Sequence, residues 1–155
     1  MKVLFVCTAN VCRSPLAEGY LKFLLQKDPV DGIEVSSAGV LALSGLPAFS
    51  CAAEVAKINE FDISDHRARR LTRPMAIESD VIFCMETWQV EEVLKLDPEL
   101  SNKVALLGRF YQERHPLFQI PDPREFSVAE TLKTFDQIRR SVQGYLESVR
   151  SSNPS

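Results

Sequence analysis

The chain has 155 residues, of which 45% are hydrophobic and 25% charged, as expected for a single globular domain with its own core. Its formal net charge of −3 argues against a nucleic-acid backbone or an anionic membrane as the partner, because neither attracts a negatively charged protein. The N-terminal apolar run is too short for a signal peptide or a membrane span, so we expect a cytoplasmic protein whose four cysteines are free thiols.

The first strand and helix carry the clearest local signals. Lys2–Cys7 is an apolar run rich in β-branched residues, which is typical of a parallel strand buried on both faces. Ser14 followed by Pro15 predicts the start of a helix with Ser14 as its N-cap. Asp28-Pro29 predicts its end, because the residue before a proline disfavours helical geometry. A short polar loop therefore joins a buried strand to a helix N-terminus.

The rest of the chain continues to alternate strands and helices. The expected strands are residues 33–37, 79–85 and 103–107, and the expected helices are residues 47–59, a segment through Trp88 to Asp97, and residues 128–149. This alternation predicts a single three-layer α/β domain, with a four-stranded parallel sheet flanked by helices on both faces. We assign residues 1–150 to this domain and residues 151–155 to a flexible tail.

The expected ligand site lies beyond the carboxyl ends of the strands, where such sheets bind their ligands. Cys7 falls at one of these ends. Residues 109–123 contain three prolines and no clear periodicity, so we expect a long loop that reaches the same edge of the sheet.

The loop Cys7–Ser14 has the composition of an oxyanion site with a nucleophile. Successive backbone N–H groups and the positive end of the helix dipole attract a tetrahedral dianion, and Arg13 can bind two of its oxygens in a fork. The same field favours the thiolate of Cys7, and the Ser14 hydroxyl can donate to the sulfur. Such a thiolate can attack phosphorus and form a phosphocysteine. The alternative is that Cys7 is an ordinary core cysteine.

Residues 6–18 read Val-Cys-Thr-Ala-Asn-Val-Cys-Arg-Ser-Pro-Leu-Ala-Glu, and this stretch resembles the signature of the low-molecular-weight protein tyrosine phosphatases. The resemblance continues in family order at residues 36–39, 64–69, 79–85 and 122–123. It implies a phosphatase that hydrolyses phosphotyrosine in proteins without a metal or other cofactor. We further expect a monomer or weak dimer that binds neither nucleic acid nor membrane.

The resemblance also implies roles for individual residues. Cys7 matches the nucleophile, Arg13 the phosphate-binding arginine, and Asp122 the general acid that protonates the leaving oxygen and then activates water. The implied phosphate-binding residues are Thr8, Ala9, Asn10, Val11, Cys12, Arg13 and Ser14. The implied loop-supporting network is Asn10, Ser14, Ser37 and His66. Ala9 stands where the family often has glycine, so the loop must accommodate its methyl group.

Cys12 matches a second loop cysteine that can trap an oxidised Cys7 as a reversible disulfide. Without the resemblance, Cys12 is equally well explained as a packing residue and Asp122 as the start of a turn. Ser37 is then a turn residue and His66 a surface or core histidine.

Substrate recognition departs from the family pattern after Asp122-Pro123, where eukaryotic members have aromatic residues and this chain has Arg124-Glu125-Phe126. Phe126, Leu41 and Leu43 are candidate walls of the pocket, although each taken singly is better explained as an ordinary surface or core residue. Val11 favours phosphotyrosine, because related arginine phosphatases have threonine there and an aliphatic wall suits a phenyl ring.

Three alternative functions remain: a protein arginine phosphatase, a thiol-coupled arsenate reductase, and a non-catalytic phosphate-binding module. The reductase needs a downstream cysteine pair, and only Cys84 lies in that region. A binding module has no need of Cys7, Arg13 and Asp122 together. We predict that Cys51 and Cys84 are core residues, and that the basic run at residues 67–70 forms a solvated face.

Overall fold

The computed structural model describes residues 1–111 and 118–153, and these ranges form four strands and five α-helices. The strands are β1 Lys2–Cys7, β2 Glu34–Gly39, β3 Val81–Cys84 and β4 Val104–Leu106. The helices are α1 Arg13–Lys27, α2 Ser50–Ile58, α3 Arg73–Glu78, α4 Thr87–Leu96 and α5 Val128–Ser152, with short 3₁₀ helices at Pro98–Asn102 and Leu107–Phe110.

The sheet is parallel throughout, and its strand order is β2-β1-β3-β4. The chain moves from β1 to one neighbour, β2, and then crosses to the other side of β1 to form β3. The carboxyl ends of β1 and β3 therefore meet where the strand order reverses, which is the usual ligand position in such a sheet. Cys7 ends β1 there and pairs in register with Gly39 of β2.

Both faces of the sheet are covered, because alternate residues of β1 enter two different cores. Val3, Phe5 and Cys7 pack in a core with buried residues of α1, α2 and α5. Leu4 and Val6 pack on the other face with buried residues of α3 and α4. The predicted three-layer α/β domain with a four-stranded parallel sheet is confirmed.

Most element boundaries lie near their predicted positions, and β1 and the end of α1 match them. The assignment of Ser14 as the N-cap was wrong: α1 begins at Arg13 with Cys12 as its N-cap, so Ser14 lies inside the helix. The short helix α3 was not predicted, although Thr72 caps it by accepting from the Met75 N–H group.

The C-terminal helix is longer than expected. It continues to Ser152, where the serine hydroxyls at 151 and 152 bond to carbonyls one turn back, so the first two residues of the predicted tail are helical. Residues 154–155 of that tail, and residues 112–117 of the predicted loop at 109–123, lie outside the described residues.

Candidate active site

A cavity of about 200 Å³ opens at the carboxyl end of β1. Its walls come from the loop after β1 and from two other segments of the chain: Cys7, Thr8, Ala9, Val11, Cys12, Arg13, Phe49, Asp122 and Phe126. The structure therefore brings the predicted nucleophile, arginine and acid to one pocket. A larger cleft of about 490 Å³ lies beside Glu18, Ser37 and His66, but none of the cysteines lines it.

The loop backbone is oriented by hydrogen bonds to its carbonyl oxygens. The oxygens accept as follows: Cys7 from Val40 N–H (3.0 Å), Thr8 from Leu41 N–H (2.8 Å), Asn10 from His66 Nε2 (2.7 Å) and Val11 from Phe49 N–H (2.8 Å). A trans peptide unit points its N–H opposite to its C=O. The N–H groups of Thr8, Ala9, Val11 and Cys12 therefore point away from these donors, toward the pocket that the same residues line.

Asn10 is the centre of the loop's internal support. It is fully buried and has a left-handed backbone with φ of 56°. The Arg69 backbone N–H donates to Asn10 Oδ1 at 3.0 Å, which fixes the orientation of the amide because a backbone N–H can only donate. Asn10 Nδ2 then donates to Ser14 Oγ at 2.8 Å and to Ser37 Oγ at 2.9 Å, and the Ser37 hydroxyl donates to Glu18.

This network determines what Ser14 can offer the nucleophile. Ser14 Oγ lies 2.9 Å from Cys7 Sγ, and both residues are buried. Since Ser14 accepts its hydrogen bond from Asn10, its own hydroxyl hydrogen is available to the sulfur. The expected contact between Ser14 and Cys7 is present, and it points a donor at the sulfur.

Gly39 allows the loop to pack closely against the end of β2. A Cβ atom there would lie 2.7 Å from Thr8 O, 2.8 Å from Asn10 N and 2.9 Å from Ala9 C, so no side chain fits. Ala9 itself does not have a positive φ. The loop therefore accommodates its methyl group without a left-handed backbone.

Arg13 is buried, and its guanidinium is held at several points. Nη1 donates to Glu86 Oε2 at 2.7 Å and to the Ile120 carbonyl at 2.8 Å, and Nη2 donates to Thr8 Oγ1 at 3.1 Å. Asp122 Oδ1 lies 3.0 Å from Nε, but without hydrogen-bond geometry. The arginine is thus fixed in the pocket wall. Its Nε group makes no hydrogen bond to the described residues.

The Asp122 segment reaches the pocket from the distant loop, as predicted. Ile120 anchors it, because its N–H donates to the Met85 carbonyl at 2.8 Å and its own carbonyl accepts from Arg13. The Asp122 side chain remains 50% exposed. A carboxylate that is tethered nearby but open to water can meet both a departing group and a solvent molecule.

Cys12 lies in surroundings that disfavour its thiolate. Burial raises the pKa of the Cys12 thiol, and the nearby Cys51, Cys7 and Asp122 raise it further, whereas Arg13 lowers it. At neutral pH Cys12 is therefore a protonated thiol. Cys51 and Cys84 are buried as predicted, and burial raises the pKa of Cys84 as well.

Sequence reasoning missed four residues of the site: Glu18, Phe49, Glu86 and Gln89. Gln89 Oε1 accepts from the N–H groups of Met85 and Glu86, and its Nε2 donates to Thr8 Oγ1 at 3.1 Å, which ties α4 to the loop. The Glu86…Gln89 pair is a capping box, a spacing that the sequence itself displays.

Two further expectations concern the pocket walls and the basic run. Phe126 lines the pocket and packs edge-on against Phe49 with ring centroids 4.9 Å apart, but Leu41 and Leu43 lie outside the pocket wall, exposed to solvent. The basic run is not simply a solvated face, because Arg69 Nε donates to the Ser37 carbonyl at 2.9 Å. The local sequence carries no signal for that contact, which spans 32 positions.

Across residues 1–111 and 118–153, no group of three or more His, Cys, Asp or Glu side chains is arranged to hold a metal ion. None of the helices in that same part of the chain combines the length and apolarity needed to cross a bilayer.

The chain is similar to known proteins both in sequence and in fold. The family model described as low molecular weight phosphotyrosine protein phosphatase matches residues 2–154. The low molecular weight protein-tyrosine-phosphatase Etp of Escherichia coli is 34% identical over 147 residues, covering 95% of this chain and 93% of Etp.

Solved structures agree with this match. Vibrio vulnificus Wzb in complex with benzylphosphonate has a TM-score of 0.83 and 32% identity, covering 95% of this chain and 97% of that one. The YwlE arginine phosphatase from Geobacillus stearothermophilus has a TM-score of 0.85 and 26% identity, covering 97% of this chain and 94% of that one.

Proposed function

The chain belongs to the low-molecular-weight phosphotyrosine protein phosphatase family, and from this premise we propose that it hydrolyses phosphotyrosine in proteins through a phosphocysteine intermediate. The observation that carries the proposal is the pairing of Cys7 Sγ with Ser14 Oγ at 2.9 Å, inside a loop whose N–H groups face the same pocket. A sulfur in that setting is stabilised as a thiolate next to a place for a tetrahedral oxyanion.

In the first step, the loop N–H groups and Arg13 bind the three terminal oxygens of the phosphate. The Cys7 thiolate attacks phosphorus, so that an S–P bond forms as the ester P–O bond breaks. Asp122 gives its proton to the departing phenolate oxygen. Its exposed position beside Arg13 supports this role, because the leaving group must face the open side of the pocket.

In the second step, Asp122 accepts a proton from water, and the resulting hydroxide attacks phosphorus. The P–S bond breaks, and the electron pair returns to sulfur. The Ser14 hydroxyl stabilises this leaving thiolate, since Asn10 supplies the hydrogen bond that Ser14 accepts. Ser37, Glu18 and His66 hold Asn10 and thereby keep the loop open around phosphate.

The choice of phosphotyrosine depends on the pocket walls. Phe49, Phe126 and Val11 line the pocket with apolar surface, against which a phenyl ring can pack. The relative from Vibrio vulnificus binds benzylphosphonate, a phosphonate carried on an aromatic group. We also propose that the protein acts in the cytoplasm as a monomer or weak dimer.

The test is a comparison of Cys7→Ser with Cys51→Ser, a matched change at a second buried cysteine. On a phosphotyrosyl peptide we expect Cys7→Ser to lose essentially all turnover and Cys51→Ser to retain it. Phosphate capture on Cys7 is checked by mass spectrometry of the acid-quenched wild-type protein. Equal activity of Cys7→Ser and wild type would overturn the mechanism.

Arginine phosphatase is the second candidate function, and the likeness to the Geobacillus stearothermophilus enzyme favours it. The same assay with a phosphoarginine peptide separates the two. Faster cleavage of phosphoarginine than of phosphotyrosine would reverse the substrate assignment while leaving the phosphocysteine chemistry in place. For an arsenate reductase we expect no thioredoxin-dependent turnover, because Cys84 is sealed in the core.

A further inference from the structure

Exposed large hydrophobic side chains are concentrated in two chain segments that each contribute a residue to the pocket wall. Of the eleven that are exposed among the described residues, five come from the segment after β2 and from the segment after Asp122. We call these five the apolar rim: Leu41 (57% exposed), Leu43 (70%), Leu46 (43%), Phe49 (38%) and Phe126 (53%). Single exposed hydrophobic residues are common, whereas a concentration beside a binding pocket marks an interaction surface.

The segment that carries four of these residues is anchored along its length. Its first and last members are tied to the phosphate loop, because the Leu41 N–H donates to Thr8 O at 2.8 Å and the Phe49 N–H donates to Val11 O at 2.8 Å. Its middle pairs with Ala68, which accepts from Gly45 N–H and donates to Leu46 O, each at 2.7 Å. The backbone therefore holds these side chains outward at fixed positions.

The apolar rim is continuous with the catalytic pocket. Phe49 and Phe126 belong to both, since they line the cavity around Cys7 and also remain partly exposed. Leu41, Leu43 and Leu46 are exposed residues of the same anchored segment as Phe49, outside the cavity. The cavity of about 200 Å³ can take a phosphorylated ring, and the three leucines lie outside it.

We propose that the apolar rim binds bulky aliphatic or aromatic side chains that neighbour the phosphotyrosine in a protein substrate. This inference rests on the proposed function and narrows it to a substrate class. A polypeptide that places its phosphate at Cys7 brings its flanking residues close to Phe49 and Phe126, the two rim residues that line the cavity. Burial of an apolar flanking side chain there favours such a substrate over one with polar flanks.

The first experiment compares two phosphotyrosyl peptides of equal length and net charge, one with leucine and one with glutamine on both sides of the phosphotyrosine. We expect kcat/KM to be about tenfold higher for the leucine peptide, the ratio that corresponds to roughly 1.4 kcal/mol of binding free energy. A ratio near one would overturn the proposal, while turnover of both peptides would leave the phosphatase function standing.

Two double variants test whether the rim causes the preference for leucine. Leu43→Gln with Leu46→Gln removes two rim side chains without adding charge, and Ile58→Gln with Ile77→Gln makes the same change at exposed residues on α2 and α3. We expect the first pair to abolish the preference for leucine, with aryl phosphate turnover little changed, and the second pair to keep it. A preference that persists in the first pair would refute the assignment.

The same variants test two other occupants of the rim, a second copy of the protein and a lipid surface. Sedimentation velocity tests self-association, and co-sedimentation with phosphatidylcholine vesicles tests lipid binding. If the wild type dimerises or binds vesicles and the Leu43/Leu46 variant does neither, the rim serves another occupant and the proposal fails. If both proteins remain monomeric and free of vesicles, the peptide is the occupant.

Discussion

The two halves of the active site are held in different ways. In the phosphate loop, Cys7, Arg13 and Ser14 are 3%, 1% and 0% exposed, whereas the Asp122 side chain is 50% exposed. The loop is one continuous stretch between β1 and α1, bonded to β2, α4 and the segment around Arg69. The Asp122 segment, by contrast, is anchored at the site through Ile120.

This difference fits what the proposed mechanism requires of each half. The loop must present donors to phosphate without rearranging, and buried bonds pre-organise it for that purpose. In the proposed mechanism the acid meets a leaving group and then a water molecule, so an exposed carboxylate on a tether suits both steps. We therefore expect changes that displace the loop to alter folding and activity together, and changes at Asp122 to alter activity alone.

The largest effect that separates the halves is expected for Asp122→Asn. Loss of the proton donor should lower kcat on an aryl phosphate by about 10² to 10⁴-fold, because leaving-group protonation contributes that much. The free energy of unfolding should change by less than about 0.5 kcal/mol, since the side chain is half exposed. Steady-state kinetics and urea denaturation measure the two quantities.

The leaving group provides the control for this variant. A phenolate that departs easily needs little protonation. The decrease in kcat caused by Asp122→Asn should therefore be smaller on a nitrophenyl phosphate than on an unsubstituted phenyl phosphate. An equal loss on both substrates would mean that Asp122 orients Arg13 rather than donating a proton. A large drop in stability would contradict the contrast between the two halves.

The second prediction concerns the buried half and the glycine that lies against it. In Gly39→Ala the new methyl group would meet backbone atoms of Thr8, Ala9 and Asn10 at 2.7 to 2.9 Å, so the loop has to move. We expect the free energy of unfolding to fall by roughly 1 to 3 kcal/mol, as for other overpacked sites. Vanadate affinity should fall as well, because the displaced loop loses its fit to a tetrahedral ion.

Gly45→Ala is the matched control in the neighbouring segment. Nothing lies within 4 Å of a Cβ at Gly45, but its φ of +94° strains any other residue. This variant should lose stability and keep its vanadate affinity. If Gly39→Ala also kept its affinity for vanadate, the loop would be more yielding than its buried hydrogen bonds indicate.

The contrast also explains which parts could be predicted from the sequence. The strand β1, the loop and the start of α1 are adjacent in sequence and have local sequence signals. The apolar run, the polar loop and Ser14-Pro15 together indicated the pocket. Glu86 and Ile120 reach Arg13 across 73 and 107 positions, and no local pattern records such a contact. Ser14 was misassigned as a cap because its hydroxyl is engaged by Asn10 and Cys7 instead.

The outward direction of Leu41 and Leu43 could not be predicted from the sequence for a related reason. Their segment is fixed by backbone bonds to Thr8 and Ala68, and side-chain composition does not encode those bonds. The short helix α3 escaped prediction because six residues are too few for a clear periodicity, even though Thr72 and Pro74 signal its start.

The smallest effect on turnover is expected for Cys12→Ser, which compares two thiols within the buried half. Cys12 lies in the pocket wall beside Cys7, but its raised pKa keeps it protonated at neutral pH. In a reducing buffer the variant should therefore turn over aryl phosphate within about twofold of wild type, since a protonated thiol is no nucleophile.

Oxidation should reveal what Cys12 contributes. A hydroperoxide converts the Cys7 thiolate to a sulfenic acid, and attack by Cys12 sulfur then forms a disulfide and releases water. Wild type should regain activity after a thiol reductant is added, whereas Cys12→Ser should proceed to the irreversible sulfinic acid. Because the pKa of Cys12 is raised, its thiolate fraction grows with every unit of pH above neutrality, so the disulfide should form faster at pH 9 than at pH 7. Stopped-flow trapping of the sulfenic acid measures that rate, and a rate independent of pH would show that Cys12 is not the attacking group.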